Sequence, residues 1–270
     1  MCTYYHLRGG GENLRLVKGI FTPCKYHYKK SAFTLSEVLI TLGIIGIVAA
    51  LTMPNLISDY REKQTITQLK KAYSLLSQAL TSARSEYGNL NDWQDDSKEF
   101  FDSVVYGKLN VVKTCTLPKK CSGLNYSRPP AYVLDNGMVF QTTARKTNAH
   151  MGEGHWCRTS LAQANQAFGI HYGNCAYVLV DLNGSKKPNR AGRDIFEFRV
   201  YTDGVLPAGH IHRGSNDGFN QCDLDLKKNA PLTSSCTAWA LFRENMDYLK
   251  CFDKLNYDVG PYSCKEAEEK

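Results

Sequence analysis

The chain is 270 residues long, with 33 Lys and Arg against 26 Asp and Glu, a formal net charge of +7 and ten cysteines. That length fits one or two domains with room for a substantial core. The charge does not mark a nucleic-acid binder: residues 1–32 hold six Lys/Arg and one Glu, leaving 27 basic against 25 acidic residues, or +2, in the remainder, and a near-neutral body offers no electrostatic footprint for DNA or RNA.

Residues 1–32 contain Gly9, Gly10 and Gly11 and little periodicity, so no regular element is expected there. Lys29 and Lys30 close this stretch, and the apolar run Phe33 to Pro54, FTLSEVLITLGIIGIVAALTMP, follows directly. Sixteen uncharged residues, Val38 to Met53, are slightly short for a membrane span, and Phe33 to Ser36 bring the segment to full length. Positive charge upstream keeps that end in the cytoplasm. Glu37 stands inside the run, where an unpaired carboxylate costs several kcal/mol and usually has a dedicated partner; snorkelling to the headgroups is the plainer reading. Gly43, Gly46 and Ala50 recur at three- and four-residue spacing, a face on which neighbouring helices approach closely, although small residues are common in membrane helices generally. Pro54 lacks an N–H and clashes with the carbonyl of Ala50, so a kink or local unwinding is expected. A secretory signal peptide would carry a small-residue cleavage site after the run. Here Pro54, Asn55 and a continuing helical pattern follow instead. An uncleaved signal anchor also fits the hydropathy.

This segment resembles the N-terminal signature of type IV pilins and the related type II secretion pseudopilins. In that family a basic leader is cut immediately before a Phe, and a carboxylate stands at the fifth mature position. Cleavage between Ala32 and Phe33 puts Glu37 fifth and Pro54 twenty-second, where the family also tends to carry proline. The family usually has Gly before the cut, whereas this chain has Ala32. The resemblance implies that a prepilin peptidase removes residues 1–32 and N-methylates Phe33. The new amine would then face Glu37 of a neighbouring subunit. Such a buried pair acts as a register device, because a missing partner is strongly penalised.

After Pro54 the pattern is amphipathic. Ile66, Leu69, Tyr73, Leu76, Leu80, Ala83 and Tyr87 form one stripe with charged and polar residues between them, and Gly88 is a natural stop. From Phe33 to Tyr87 such a helix measures roughly 80 Å at 1.5 Å per residue. Its second half requires a bundle, a coiled coil or a globular head to pack on. Strict heptads are absent, which weighs against the coiled coil.

Residues 88–130 are turn-rich and fit a connector covering one side of a sheet. Ala131–Leu134 and Met138–Thr142 flank Asp135-Asn136-Gly137, a strong hairpin signal. Residues 143–174, with His150, His155 and Cys157, read as a long irregular insertion. Ala176–Leu182 and Ile195–Tyr201 read as strands, the latter with Phe196, Phe198 and Val200 on one face. Asp203-Gly204 turns the chain back into Val205-Leu206. About four antiparallel strands beside a long helix make an α+β arrangement, and the pilin resemblance implies the same fold. From residue 209 the chain is cysteine-rich and loop-like, apart from a short helix expected over Ala238–Lys250. The expected divisions are thus 1–32, a cleaved leader; 33–54, the membrane and assembly helix; 55–87, the stem; 88–208, the α+β head; and 209–270, the cysteine-rich C-terminal region.

Cys2 and Cys24 lie in the leader, while Cys115, Cys121, Cys157, Cys175, Cys222, Cys236, Cys251 and Cys264 all follow the helix. An even set confined to the exported part reads as disulfides. Structural zinc would favour C-x-x-C pairs, and none occurs. Nearest-neighbour bridges close the shortest loops, although eight cysteines allow 105 connectivities.

Asp181, Asn183 and Asp194 could gather oxygens for calcium, as major pseudopilins resemble this in carrying a calcium loop between late strands. They fall two or three ligands short, and the plain reading is an Asn-Gly turn. His210 and His212 share one side of an extended segment but lack completing ligands. Lys186, Lys187, Arg190 and Arg193 make a basic loop without an aromatic platform, which reads as solvated. No G-x-S-x-G elbow, P-loop or H-E-x-x-H occurs, so catalysis has no motif to rest on and no cofactor is expected.

The reading is therefore a structural subunit, a minor pilin or pseudopilin of a bacterial type IV pilus or type II secretion-like filament. It would start as a single-pass inner-membrane protein with its head in the periplasm and end in a filament. Implied partners are the prepilin peptidase, other pilin or pseudopilin subunits and an inner-membrane assembly platform. Two rivals are a filament-tip protein binding DNA or surfaces, which needs a concentrated basic or aromatic patch on the head, and a monomeric signal-anchored periplasmic protein.

Overall fold

The computed structural model describes residues 34–93, 98–117, 120–122, 124, 130–144, 157, 175–210, 222 and 235–269. The chain divides into two compact units, residues 1–51 and 52–270. Helix α1, Leu35–Tyr87, runs through the boundary. In the first unit its large apolar side chains, Leu39, Ile40, Ile44, Ile45 and Ile47 among them, are exposed. The helix is long and apolar enough to cross a membrane, and none of its apolar window is buried. Helical hydrogen bonding continues through Pro54, so the local unwinding expected there does not occur. One missing N–H is tolerated inside a 53-residue helix.

In the second unit α1 buries Ile66, Leu69, Ala72, Leu76, Ala79, Leu80 and Ala83. These lie at the three- and four-residue spacing expected of one helix face. Tyr73 packs at the margin of this stripe, its ring stacked 5.8 Å from Phe198, whereas Tyr87 is exposed. The helix ends where Gly88 takes φ +79°, a conformation that favours glycine. Arg84 ties this end down, donating to the carbonyl of Asp203 at 2.6 Å and to Asn89 Oδ1.

Six antiparallel strands follow in sequential order: β1 Val111–Cys115, β2 Ala131–Leu134, β3 Val139–Ala144, β4 Ala176–Asp181, β5 Ile195–Tyr201 and β6 Gly204–Pro207. The β2–β3 hairpin turns at Asp135-Asn136-Gly137, with Gly137 at φ +84° and the Asn136 side chain accepting the Met138 N–H. Cross-strand register aligns Phe140 with Val180 and Val180 with Phe196, and Val178 with Phe198. Alternation therefore puts one row of large apolar side chains on a single face, and they join the stem residues in the main core. The opposite face carries a smaller cluster of Cys115, Leu124, Ala131, Val139, Leu179 and Ile195.

Three sequence expectations are corrected. Among the described residues the sheet has six strands, not about four: β1 lies hidden in the expected connector because it is an edge strand with three exposed central residues and no alternation. The same connector contains helix α2, Lys98–Tyr106. The expected helix over Ala238–Lys250 is two short ones, α3 Thr237–Phe242 and α4 Tyr248–Cys251, followed by α5 Cys264–Glu268. Glu244 at φ +56° interrupts the first pair. Asn245 fills the gap, accepting from Trp239 Nε1 at 2.8 Å and donating to the Tyr262 carbonyl at 2.9 Å. Trp239 and Tyr248 are buried in the main core, so this C-terminal segment is part of the head's interior.

Candidate functional site

The N-terminus of α1 is built around Thr34 and Glu37. Thr34 donates to Glu37 Oε2 from both its backbone N–H and its hydroxyl, each at 2.8 Å. The Glu37 N–H returns a bond to the Thr34 hydroxyl at 3.2 Å. This is a reciprocal capping box, the T-x-x-E pattern that satisfies two of the orphan donors at a helix start. The pattern is legible in Thr34-Leu35-Ser36-Glu37, yet attention to the acid's burial cost passes over it. Both capping bonds use Oε2, so among the described residues Oε1 is left to a further donor. Glu37 is exposed within this chain. Ala32 and Phe33, the residues of the expected cut, lie outside the described residues, as do His150, His155 and His212.

Gly43 and Gly46 have nothing within 4 Å of an added Cβ. Among the described residues no contact requires them to be glycine. Pro54 is exposed on the same helix.

The β4–β5 loop brings Asp181, Asn183 and Asp194 together, but not as an open oxygen cage. Asp194 Oδ2 accepts the Asn189 N–H at 2.7 Å and the Asn183 side-chain amide at 3.1 Å, while Oδ1 accepts the Arg190 N–H at 2.7 Å. Asp181 Oδ1 accepts the Asn183 N–H at 3.1 Å. Donors that point at both Asp194 oxygens occupy the lone pairs calcium would need, and an oxygen cage of six to eight ligands is far from complete. Burial pushes the Asp194 carboxyl upward, and the Arg190 and Asn189 N–H groups pull it back. Among the described residues no three His, Cys, Asp or Glu side chains gather to hold a metal. His210 turns its Nδ1 to the Pro207 carbonyl at 2.9 Å.

A second polar cluster lies between α2 and the sheet. Asp102, almost fully buried, pairs with Lys98 and accepts from Tyr132 at 3.0 Å, while Tyr106 and Thr142 bond to one another beside it. Burial pushes the Asp102 carboxyl up, and Lys98 opposes the shift. The arrangement ties α2 to β2 and β3.

The eight cysteines after α1 stand as four pairs at disulfide distance: Cys115–Cys121, Cys157–Cys175, Cys222–Cys236 and Cys251–Cys264. These are the nearest-neighbour pairs. The last two hold the segment that carries Trp239 and Tyr248.

Residues 28–53 match the prokaryotic N-terminal methylation motif. Residues 55–107, which cover the stem, the Leu90–Asp92 turn and α2, match a family of unknown function, DUF6613. No curated protein and no solved structure matches the chain. With Glu37 at the capped start of an exposed, membrane-length helix, the chain carries a type IV pilin-like N-terminal signature.

Proposed function

We propose that the chain is a minor pilin or pseudopilin: a structural, non-enzymatic subunit that is cut between Ala32 and Phe33, methylated on Phe33 and polymerised through α1. The observation that carries this is the methylation motif over residues 28–53, with Glu37 five positions after Ala32. Residues 1–32 are then the leader, 33–54 the assembly helix and 55–87 the stem. The head of 88–208 and the C-terminal region of 209–270 are displayed in the periplasm or outside.

Chemistry supports the assembly role. Glu37 Oε1 is available to a neighbour's N-terminal amine while Oε2 keeps the helix capped. Gly43 and Gly46 leave space for a neighbouring helix to approach. A prepilin peptidase, sister subunits and an inner-membrane platform are the partners this mechanism uses, and the process is polymerisation without turnover. The subunit resides in the inner membrane before assembly.

Shearing filaments from cells that express wild type or Glu37→Ala tests the role. The mutant is expected in the membrane fraction at wild-type level and depleted from the filament fraction. Equal incorporation of both would refute the register role of Glu37.

A further inference from the structure

A cleft of about 790 Å³ opens between the stem residues that follow Pro54, the β4–β5 loop and α4. Its lining is strongly cationic: Arg61, Lys186, Lys187, Arg193 and Lys250 against Glu62 and Asp194, a net +3. Both carboxylates are already engaged. Glu62 accepts the Met246 N–H at 2.8 Å and pairs with Lys250 at 3.1 Å, and Asp194 takes the loop N–H groups described above. Arg61, Lys186, Lys187 and Arg193 are exposed. Among the described residues none of the four has a carboxylate within ion-pair distance. The sequence shows the loop cations but not that the fold sets Arg61 across from them.

Four like charges facing one concave space repel one another unless an anion sits among them. The position of the cleft selects the anion. Its first lining residue, Pro54, is the one that ends the apolar run. Arg61 follows seven residues later on the same continuous helix, about 10 Å of rise. In a helix whose apolar run fills the hydrocarbon, that is headgroup depth on the side of the head, where a lipid phosphate comes within reach of basic side chains. The lining contains Ile57, Met246 and Leu249 as well as the cations, but no aromatic ring. That composition suits a phosphate with the first carbons of its chains and lacks the stacking surface that single-stranded nucleic acid uses.

We propose that this cleft binds the phosphate headgroup of an anionic phospholipid in the membrane-resident subunit. The inference rests on the membrane-inserted reading of α1. Phosphate oxygens would take Lys186, Lys187, Arg61 and Arg193, and Ile57 and Leu249 would flank the glycerol end.

The test uses the full chain extracted from membranes in an uncharged detergent and titrated with dihexanoyl phosphatidylglycerol or dihexanoyl phosphatidylcholine. The phosphatidylglycerol is expected to bind at least about tenfold tighter, since each basic side chain near an anionic headgroup contributes roughly fivefold and several face the cleft. Its binding should weaken as salt is raised. Lys186→Glu with Lys187→Glu should reduce the affinity about tenfold or more. Lys113→Glu with Lys120→Glu makes the same charge change on exposed residues at and beside the far edge strand, and should leave binding unchanged. Arg61→Gln, on the other wall, should weaken binding in the same direction. Equal binding of the two lipids, or equal loss in both double variants, overturns the site. Glycerol phosphate binding as tightly as the lipid would assign the cleft to a soluble phosphate, and displacement of the lipid by a single-stranded oligonucleotide would assign it to nucleic acid; either result overturns the proposal. A membrane-resident chain indifferent to lipid charge sinks this site alone, whereas a chain found in the soluble fraction sinks the membrane reading with it.

Discussion

Thr34 and Glu37 share one carboxylate oxygen between capping bonds, and this lets two roles of the acid be separated. Glu37→Gln keeps a side-chain oxygen for the Thr34 donors but removes the charge that a neighbour's amine would meet. Membrane insertion should therefore remain at wild-type level, while filament incorporation should fall as far as in Glu37→Ala. Quantitative immunoblots of membrane and sheared fractions would check this, and full incorporation of the Gln variant would leave only the cap as a role for this residue. Elsewhere a glycine permits a close approach of two backbone segments in the head. Gly209 takes φ +89°, and a Cβ there would overlap the carbonyl of Ser235. Gly209→Ala should cost about 3 kcal/mol or more, since positive φ and a rigid backbone clash add. The urea midpoint of the detergent-solubilised chain is the measurement, and an unchanged midpoint would contradict the close approach.

The stem helix and the strands it covers form the head's main packing unit. Leu76 is fully buried in that core, so Leu76→Ala should destabilise the head by about 2–5 kcal/mol while leaving membrane insertion intact. Denaturation and membrane fractionation of the same variant separate the two halves of α1. At α2 the electrostatics has a definite sign. The folded-state pKa of Asp102 is raised by burial. The stability linked to its protonation is therefore fully present below the ordinary carboxylate range and lost as pH rises through the raised value. Asp102→Asn removes the group that titrates in that window and serves as the pH-independent reference. Wild-type stability relative to this variant should rise as pH falls from neutrality toward the carboxylate range. A relative stability that falls would contradict a raised pKa.

These elements also show what the sequence makes legible. Periodicity of the stem identifies one partner of the core, because its buried set repeats at helical spacing; in β5 the alternating Phe196, Phe198 and Val200 mark the face that joins this core, although the strand is buried on both faces. The helix α2 carries Phe100, Phe101, Val104 and Val105 at helical spacing, but its buried Lys98–Asp102 pair runs against the rule that charge faces solvent, and turn residues on either side mask it. Edge strand β1 has no buried alternation to reveal it. The break between α3 and α4 depends on Asn245 reaching Trp239 and Tyr262, contacts that no local pattern encodes. At the candidate site the acid and the glycines stand in the sequence itself, whereas the cationic cleft needs the fold to bring Arg61 opposite the β4–β5 loop.

At the scale of the whole molecule, α1 begins as a membrane-length apolar segment that is not buried among the described residues, and the second unit is a sheet-and-helix head with four cysteine pairs. Small loops closed by disulfides gain stability chiefly by restricting the unfolded chain, and an exported head lies in a compartment where they persist. Alkylation of the mature protein should modify none of the eight paired cysteines before reduction and all eight afterwards; eight reactive thiols without reductant would contradict the exported, oxidised head. The central claim is that this chain is cut and methylated before it assembles. Intact mass spectrometry of the membrane-extracted protein addresses that most directly. A mass that begins at Phe33 and carries one added methyl group is the predicted result, and a mass that retains residues 1–32 without methylation would contradict the account.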